Sequence, residues 1–216
     1  MPLSPNVLGL ALPMSPAAGL ALLRLLPLLS STASLTHAYM ERLTTSAFLN
    51  PAPLDSAISR GLIGDTAPAR AQSNQLEVER AKESVVPAWF TSFFNKGVWS
   101  VVGLNSITLL SASANLLFYN AGLGEKKLWY QVGLVAALAH YAFVPLVGNS
   151  VRELVRMAAG RCEDESRVVK KGEGEGKAVE LVREWVGWHT VRMCTVDVCA
   201  WGCFVVGAVG VFAEEV

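Results

Sequence analysis

GVWSVVGLNSITLLSASANLLFY, Gly97 to Tyr119, is the stretch that decides the fold. It lies in a run of 28 uncharged residues between Lys96 and Glu125, and another 24 uncharged residues separate Lys127 from Arg152. An α-helix rises about 1.5 Å per residue and needs roughly 20 apolar residues to cross a hydrocarbon core about 30 Å thick. Both runs are long enough, so both are read as membrane spans. Backbone polar groups in lipid must pair within their own segment or around a closed barrel, and segments of this length select helices.

Working outward, the second and third helices are placed at 97–119 and 128–150, joined by a connector carrying Gly122 and Gly124 that suits a tight helical hairpin. A fourth span is placed at 188–213, where Met193 to Ala213 is interrupted only by Asp197. Pro13 and Pro16 break the early apolar run, which leaves 1–16 as an N-terminal segment and 17–39 as the first span. Pro27 inside that span is tolerable in lipid, and Arg24 near its end is expected to reach the headgroups. The expected architecture is all-α: an integral membrane four-helix bundle with two long cytoplasmic loops.

Those loops are 40–96 and 151–187. The first holds Pro51, Pro53 and Pro68, a short helix expected near Gln72 to Ser84, and an interfacial aromatic segment of Trp89, Phe90, Phe93, Phe94 and Trp99. The second, charged and Gly/Glu-rich, contains Gly-Glu-Gly-Glu-Gly at 172–176 and reads as a solvated linker. Met40–Lys96 and Val151–Val191 carry 6 and 8 of the basic residues, so the positive-inside rule puts both loops in the cytoplasm. Both termini are then expected to face away from it, in an endomembrane.

Composition removes several function classes. Hydrophobic residues make up 52% of the chain and charged ones 17%, a membrane composition. The 18 basic and 18 acidic residues balance, which argues against a nucleic-acid partner and leaves the lipid bilayer as the expected one. Cys162, Cys194, Cys199 and Cys203 form no CxxC pair, and a disulfide framework is not expected. The first 23 residues lack Lys and Arg, unlike a cleaved signal, and a lone Arg24 does not make a mitochondrial presequence. No phosphate loop, zinc signature or nucleophile elbow is present, so neither a metal nor a cofactor is expected.

Ionisable groups inside lipid cost about 2.5 to 3.5 kcal/mol at mid-span, so each needs a reason. His140 stands 13 residues from Lys127 and 12 from Arg152, on one helical face with Gly133, Ala136 and Ala137. Small neighbours let helices approach closely, so His140 is expected to point into the bundle, either as a hydrogen-bonded structural imidazole or as a ligand group. Asp197, five residues past Arg192, is close enough to the edge to pair with a base on another helix. His189 and Arg192 are three apart and face one way at the membrane edge, where an ordinary interfacial turn is the alternative to a site. On the expected topology His37, Glu41, Asn95, Lys96, Asn149, Arg152, His189, Arg192 and Asp197 share one depth. They are expected to ring a polar vestibule floored by His140.

Three motifs carry a resemblance: Phe94-Asn95-Lys96-Gly97, then His140-Tyr141-Ala142-Phe143-Val144-Pro145 with Asn149, then Trp188-His189-x-x-Arg192 with Asp197 and Trp201. Together they resemble the anthrone-oxygenase-like integral membrane proteins, a largely uncharacterised group common in fungi; the likeness covers the four spans. The resemblance implies a four-helix membrane bundle that oxidises an apolar aromatic polyketide of anthrone type with dioxygen and no cofactor. It further implies catalytic roles for His189 as base, Arg192 at the enolate oxygen and Asp197 as orienter of a histidine on a neighbouring helix. Asn149, His140 and Asn95 would bind substrate. A non-enzymatic scaffold or small-molecule carrier is the competing class, in which the same polar residues are structural pairs.

Overall fold

The computed structural model describes residues 6–7, 10–11, 15–50, 58, 61–62, 71–163 and 176–213. A two-residue antiparallel pairing, β1 (Asn6–Val7) with β2 (Leu10–Ala11), precedes the helices. The helices are α1 (Pro16–Ser46), α2 (Ala71–Leu117), α3 (Lys127–Ala139), α4 (Val144–Glu163), α5 (Lys177–Arg192) and α6 (Val198–Ala213). A 3₁₀ turn at His140–Phe143 joins α3 to α4, and a π-helical segment at Met193–Asp197 joins α5 to α6. Four continuous helical stretches are thus long and apolar enough to cross a membrane: Pro16–Ser46, Glu77–Leu117, Gly124–Gly160 and Lys177–Ala213. The chain is an all-α, multi-pass membrane protein.

Helix and apolar run do not end together. The Glu77–Leu117 stretch is 41 residues, about 60 Å at the helical rise and twice what a bilayer core needs. The helix expected near Gln72–Ser84 is part of α2, which continues without a break through the aromatic segment that sequence alone assigned to a loop. The third and fourth stretches likewise extend into 151–163 and 177–187. Hydropathy reports where lipid is, whereas a helix persists wherever its apolar face finds something to pack against. Pro51, Pro53, Pro68 and 172–175 of the glycine-glutamate run lie outside the described residues.

The chain divides into two compact units, and each long helical stretch contributes to both. The first comprises Met1–His37, Ser100–Ala142 and Arg192–Val216; the second, Ala38–Trp99 and Phe143–Val191. The second holds 14 of the 18 basic and 14 of the 18 acidic residues. The first is therefore the unit whose composition matches lipid.

In the first unit the helices meet through small and hydroxylated side chains. A Cβ on Gly133 would meet the Phe204 ring at 2.8 Å and one on Gly207 the Tyr130 ring at 2.9 Å, so α3 and α6 approach where glycine leaves room. Tyr130, Ala136, Ala137, Ala200, Phe204 and Ala112 form its apolar core. Pro27 has no N–H for the carbonyl of Leu23, and Asn115 Nδ2 donates to that carbonyl at 2.8 Å instead. Tyr130 donates its hydroxyl to the next carbonyl, Arg24, at 2.7 Å. Arg24 is itself buried, with its guanidinium against Gly122 in the connector. That connector is two 3₁₀ turns, Asn120–Gly122 and Gly124–Lys126, with Gly124 supplying the left-handed residue at φ 51°.

The second unit has an apolar core of Val86, Phe90, Leu154, Val182, Trp185 and Val186, with Trp89, Phe93 and Phe94 packed against it. Phe90 meets Trp185 edge-on, with ring centroids 5.4 Å apart. Glu83 accepts the N–H groups of Ala178 (2.8 Å) and Val179 (3.0 Å), capping α5 with a carboxylate where its helix dipole is positive.

Candidate functional site

Two departures from regular helix build the site. Pro145 cannot supply an N–H and disfavours α geometry in the residue before it, so α3 gives way to the 3₁₀ turn that begins at His140. In the fourth stretch the π-helical segment widens the turn between Arg192 and Asp197, with the Val198 N–H reaching back to Met193 O. Isolated π segments inside helices occur often at functional sites. Here the wider turn lets a residue bond to the one five positions on.

The outcome is a buried triad within the first unit. Arg192 Nε donates to Asp197 Oδ2 at 3.2 Å, and Asp197 Oδ1 lies 2.9 Å from His140 Nδ1. His140 is 4% exposed, and Asp197 and Arg192 expose 10% and 14% of their side chains. An ionised carboxylate only accepts, so Nδ1 of His140 carries the proton. Nε2 is then the basic nitrogen. A carboxylate fixing the tautomer of an imidazole is the arrangement that turns histidine into an oriented general base. The arginine bonds the second carboxylate oxygen and confines the carboxylate to one geometry. As the helical spacing predicts, Gly133, Ala136 and Ala137 are buried on the face that carries His140.

The remaining sequence-derived candidates lie elsewhere. His189 belongs to the second unit, 2% exposed, and its ring stacks on Trp185 with centroids 4.6 Å apart. Its Nε2 donates to the Ala38 carbonyl at 2.8 Å, and Glu41 Oε2 stands 3.9 Å from the same nitrogen. Asn95 and Asn149 also belong to the second unit, and both are exposed. Of the nine residues expected at one depth, His37, Arg192 and Asp197 fall in the first unit and the other six in the second. His189 and Arg192 lie three apart in the same helix, α5, and the boundary between the two units falls between them. No group of three His, Cys, Asp or Glu side chains gathers as a metal-ligand set among the described residues.

Sequence reasoning missed Asn105. It is 5% exposed in the first unit, and its buried Nδ2 has no hydrogen-bond partner. The signal was present: Asn105, Thr108, Ala112 and Asn115 recur at helical spacing on one face of α2.

Three known proteins are similar to this chain over nearly its whole length. Epoxidase pydX of an Acremonium species is 24% identical over 194 residues, covering 88% of this chain and 93% of its own. Probable epoxidase scpX of Mollisia scopiformis is 25% identical over 190 residues, 87% of this chain and 94% of its own. Epoxidase gkaX of Penicillium citrinum is 25% identical over 198 residues, 91% of this chain and 98% of its own. No family model matches, and no solved structure does.

Proposed function

We propose that the protein is a membrane-embedded oxygenase of epoxidase type in fungal secondary metabolism, acting on an apolar substrate that enters from lipid. The observation that carries this reading is the His140–Asp197–Arg192 triad, buried at two helix irregularities. The three similar epoxidases support the reaction class.

In this reading His140 Nε2 removes the acidic proton from a carbon beside a carbonyl or an aromatic ring. Asp197 stabilises the imidazolium that forms. The Arg192 guanidinium favours the enolate by placing positive charge near it. The electron-rich enolate reacts with dioxygen to give a peroxide on carbon, and imidazolium returns the proton to it. Passing one peroxide oxygen to a neighbouring C=C leaves an epoxide there and a hydroxyl on the first carbon; on an anthrone, loss of water instead gives the quinone. All four electrons come from the substrate, and atoms balance in both branches. His189, stacked and bonded to backbone, serves here as a packing residue, while Asn149 and Asn95 have no part in the proton transfer.

The test is dioxygen consumption by the full chain in lipid nanodiscs with anthrone as probe, against empty nanodiscs. His140→Gln keeps a similar volume and removes the base. Turnover above the spontaneous rate that vanishes in H140Q and persists in H189F supports the assignment. Consumption equal to that of empty nanodiscs, or unaffected in H140Q, overturns it.

A further inference from the structure

A buried amide in the lipid unit makes no hydrogen bond within the protein. Asn105 Nδ2 is shut away from solvent without a partner. Several hydrophilic groups of the same interior are matched, although Asn115 Oδ1 is also buried without a partner. Ser30 and Thr108 bond each other at 2.8 Å, and Asn115 and Tyr130 bond the two carbonyls near Pro27. Asn115 still makes two bonds through its Nδ2, whereas Asn105 Nδ2 makes none; such an orphan is destabilising, and a bound group is one standard explanation.

Its position gives the orphan a direction. Seven residues make nearly two helical turns, so Asn105 projects within about 20° of Ala112. Ala112 packs in the core that also contains Ala136 and Ala200. His140 lies about one turn beyond Ala136 and Asp197 about one turn before Ala200. The end of α6 meets the connector, where a Cβ on Gly210 would touch Lys126. Chain direction then places Asn105, His140 and Asp197 all on the side of the apolar core away from that connector.

We infer that Asn105 is a ligand-binding group, its amide N–H donating to a carbonyl oxygen of an otherwise apolar ligand held inside the first unit beside the His140–Asp197–Arg192 triad. The donor is the orphaned atom, so its match is an acceptor oxygen. A ligand soluble in hydrocarbon carries such an oxygen most cheaply as a ketone. In the proposed oxygenase, on which this inference rests for the ligand's origin, that hydrogen bond sets which carbon faces the base. Asn105 is then a positioning and specificity residue.

The experiment measures equilibrium partition of anthraquinone and of anthracene, its carbonyl-free counterpart, into nanodiscs holding the full chain over empty nanodiscs. Wild type is expected to retain anthraquinone in preference to anthracene. Asn105→Leu, close in volume, is expected to lower anthraquinone retention about tenfold, leave anthracene unchanged, and raise the melting temperature because the orphan is gone. Asn105→Ala supplies the same comparison if the leucine variant fails to assemble. A wild type without ketone preference, or a preference that survives both substitutions, overturns the inference and leaves the amide matched by water or by nothing. Ketone preference lost in N105L in a protein that consumes no dioxygen keeps the donor and removes the oxygenase.

Discussion

His140 and His189 are almost equally buried, yet the interiors around them are built on opposite rules. Around His140 the first unit buries amide and hydroxyl side chains beside its apolar core and turns other apolar ones outward: Asn105, Thr108, Ser111 and Asn115 are buried while Leu110, Val135 and Val209 face outward. Around His189 the second unit is greasy inside, with Phe90, Trp185 and Val186, and carries most of the charge of the chain. Lipid offers helices no hydrophobic reason to associate, so the first unit is held by close packing and hydrogen bonds. The second gathers its apolar side chains as a water-soluble bundle does. The first histidine is bonded directly to a carboxylate at 2.9 Å, and the second stacks on Trp185 and bonds a backbone carbonyl with Glu41 3.9 Å away. Burial alone does not tell them apart.

The comparison breaks most sharply on activity. His140→Gln is expected to lower turnover about 10²- to 10⁴-fold, the usual share of a general base, with the melting temperature little changed; an active H140Q would make the two histidines equivalent. Asp197→Asn leaves Arg192 buried opposite a neutral amide, and breaking a buried pair costs about 3 to 5 kcal/mol. Denaturant titration in micelles should find that loss, and an unchanged midpoint would mean that the carboxylate is not holding the arginine. His189→Ala is expected to cost about 2 to 3 kcal/mol from lost ring packing, while activity per folded molecule is retained. A selective loss of turnover in H189A would return the base to the second unit. Gly133→Ala pushes a methyl into the Phe204 ring and should cost about 1 to 3 kcal/mol, read as a lower melting temperature. Smallest is Ser150→Ala, which removes the 2.7 Å bond to Glu184 in the second unit and should cost about 1 kcal/mol in the same measurement.

Some of the site was legible before any coordinates. His140 faces inward because Gly133, Ala136 and Ala137 share its helical face, and a carboxylate in lipid, Asp197, needs a base on another helix. Grouping His189 with Arg192 followed i,i+3 spacing, and both lie in the regular helix α5; what spacing could not give is the π segment after Arg192 that brings Asp197 within reach of it. Periodicity arguments assume 3.6 residues per turn, and a single wide turn redirects every side chain beyond it. The helix expected near Gln72–Ser84 is present, but its continuation through 85–96 was hidden for a different reason: that part packs against α4 and α5 residues, such as Leu154, Val182 and Trp185, distant in the chain.

Uncharged runs longer than a bilayer is thick were enough, read alone, to establish lipid as the solvent and helix as the only economical backbone, since both follow from local chain composition and the absence of water. Tertiary structure alone decided which buried polar groups meet. Whether Asp197 reaches His140, whether His189 packs on Trp185, and whether Asn105 is left unmatched depend on angles set by a 3₁₀ turn, a π turn and two glycine contacts, and no property of any one segment contains those angles.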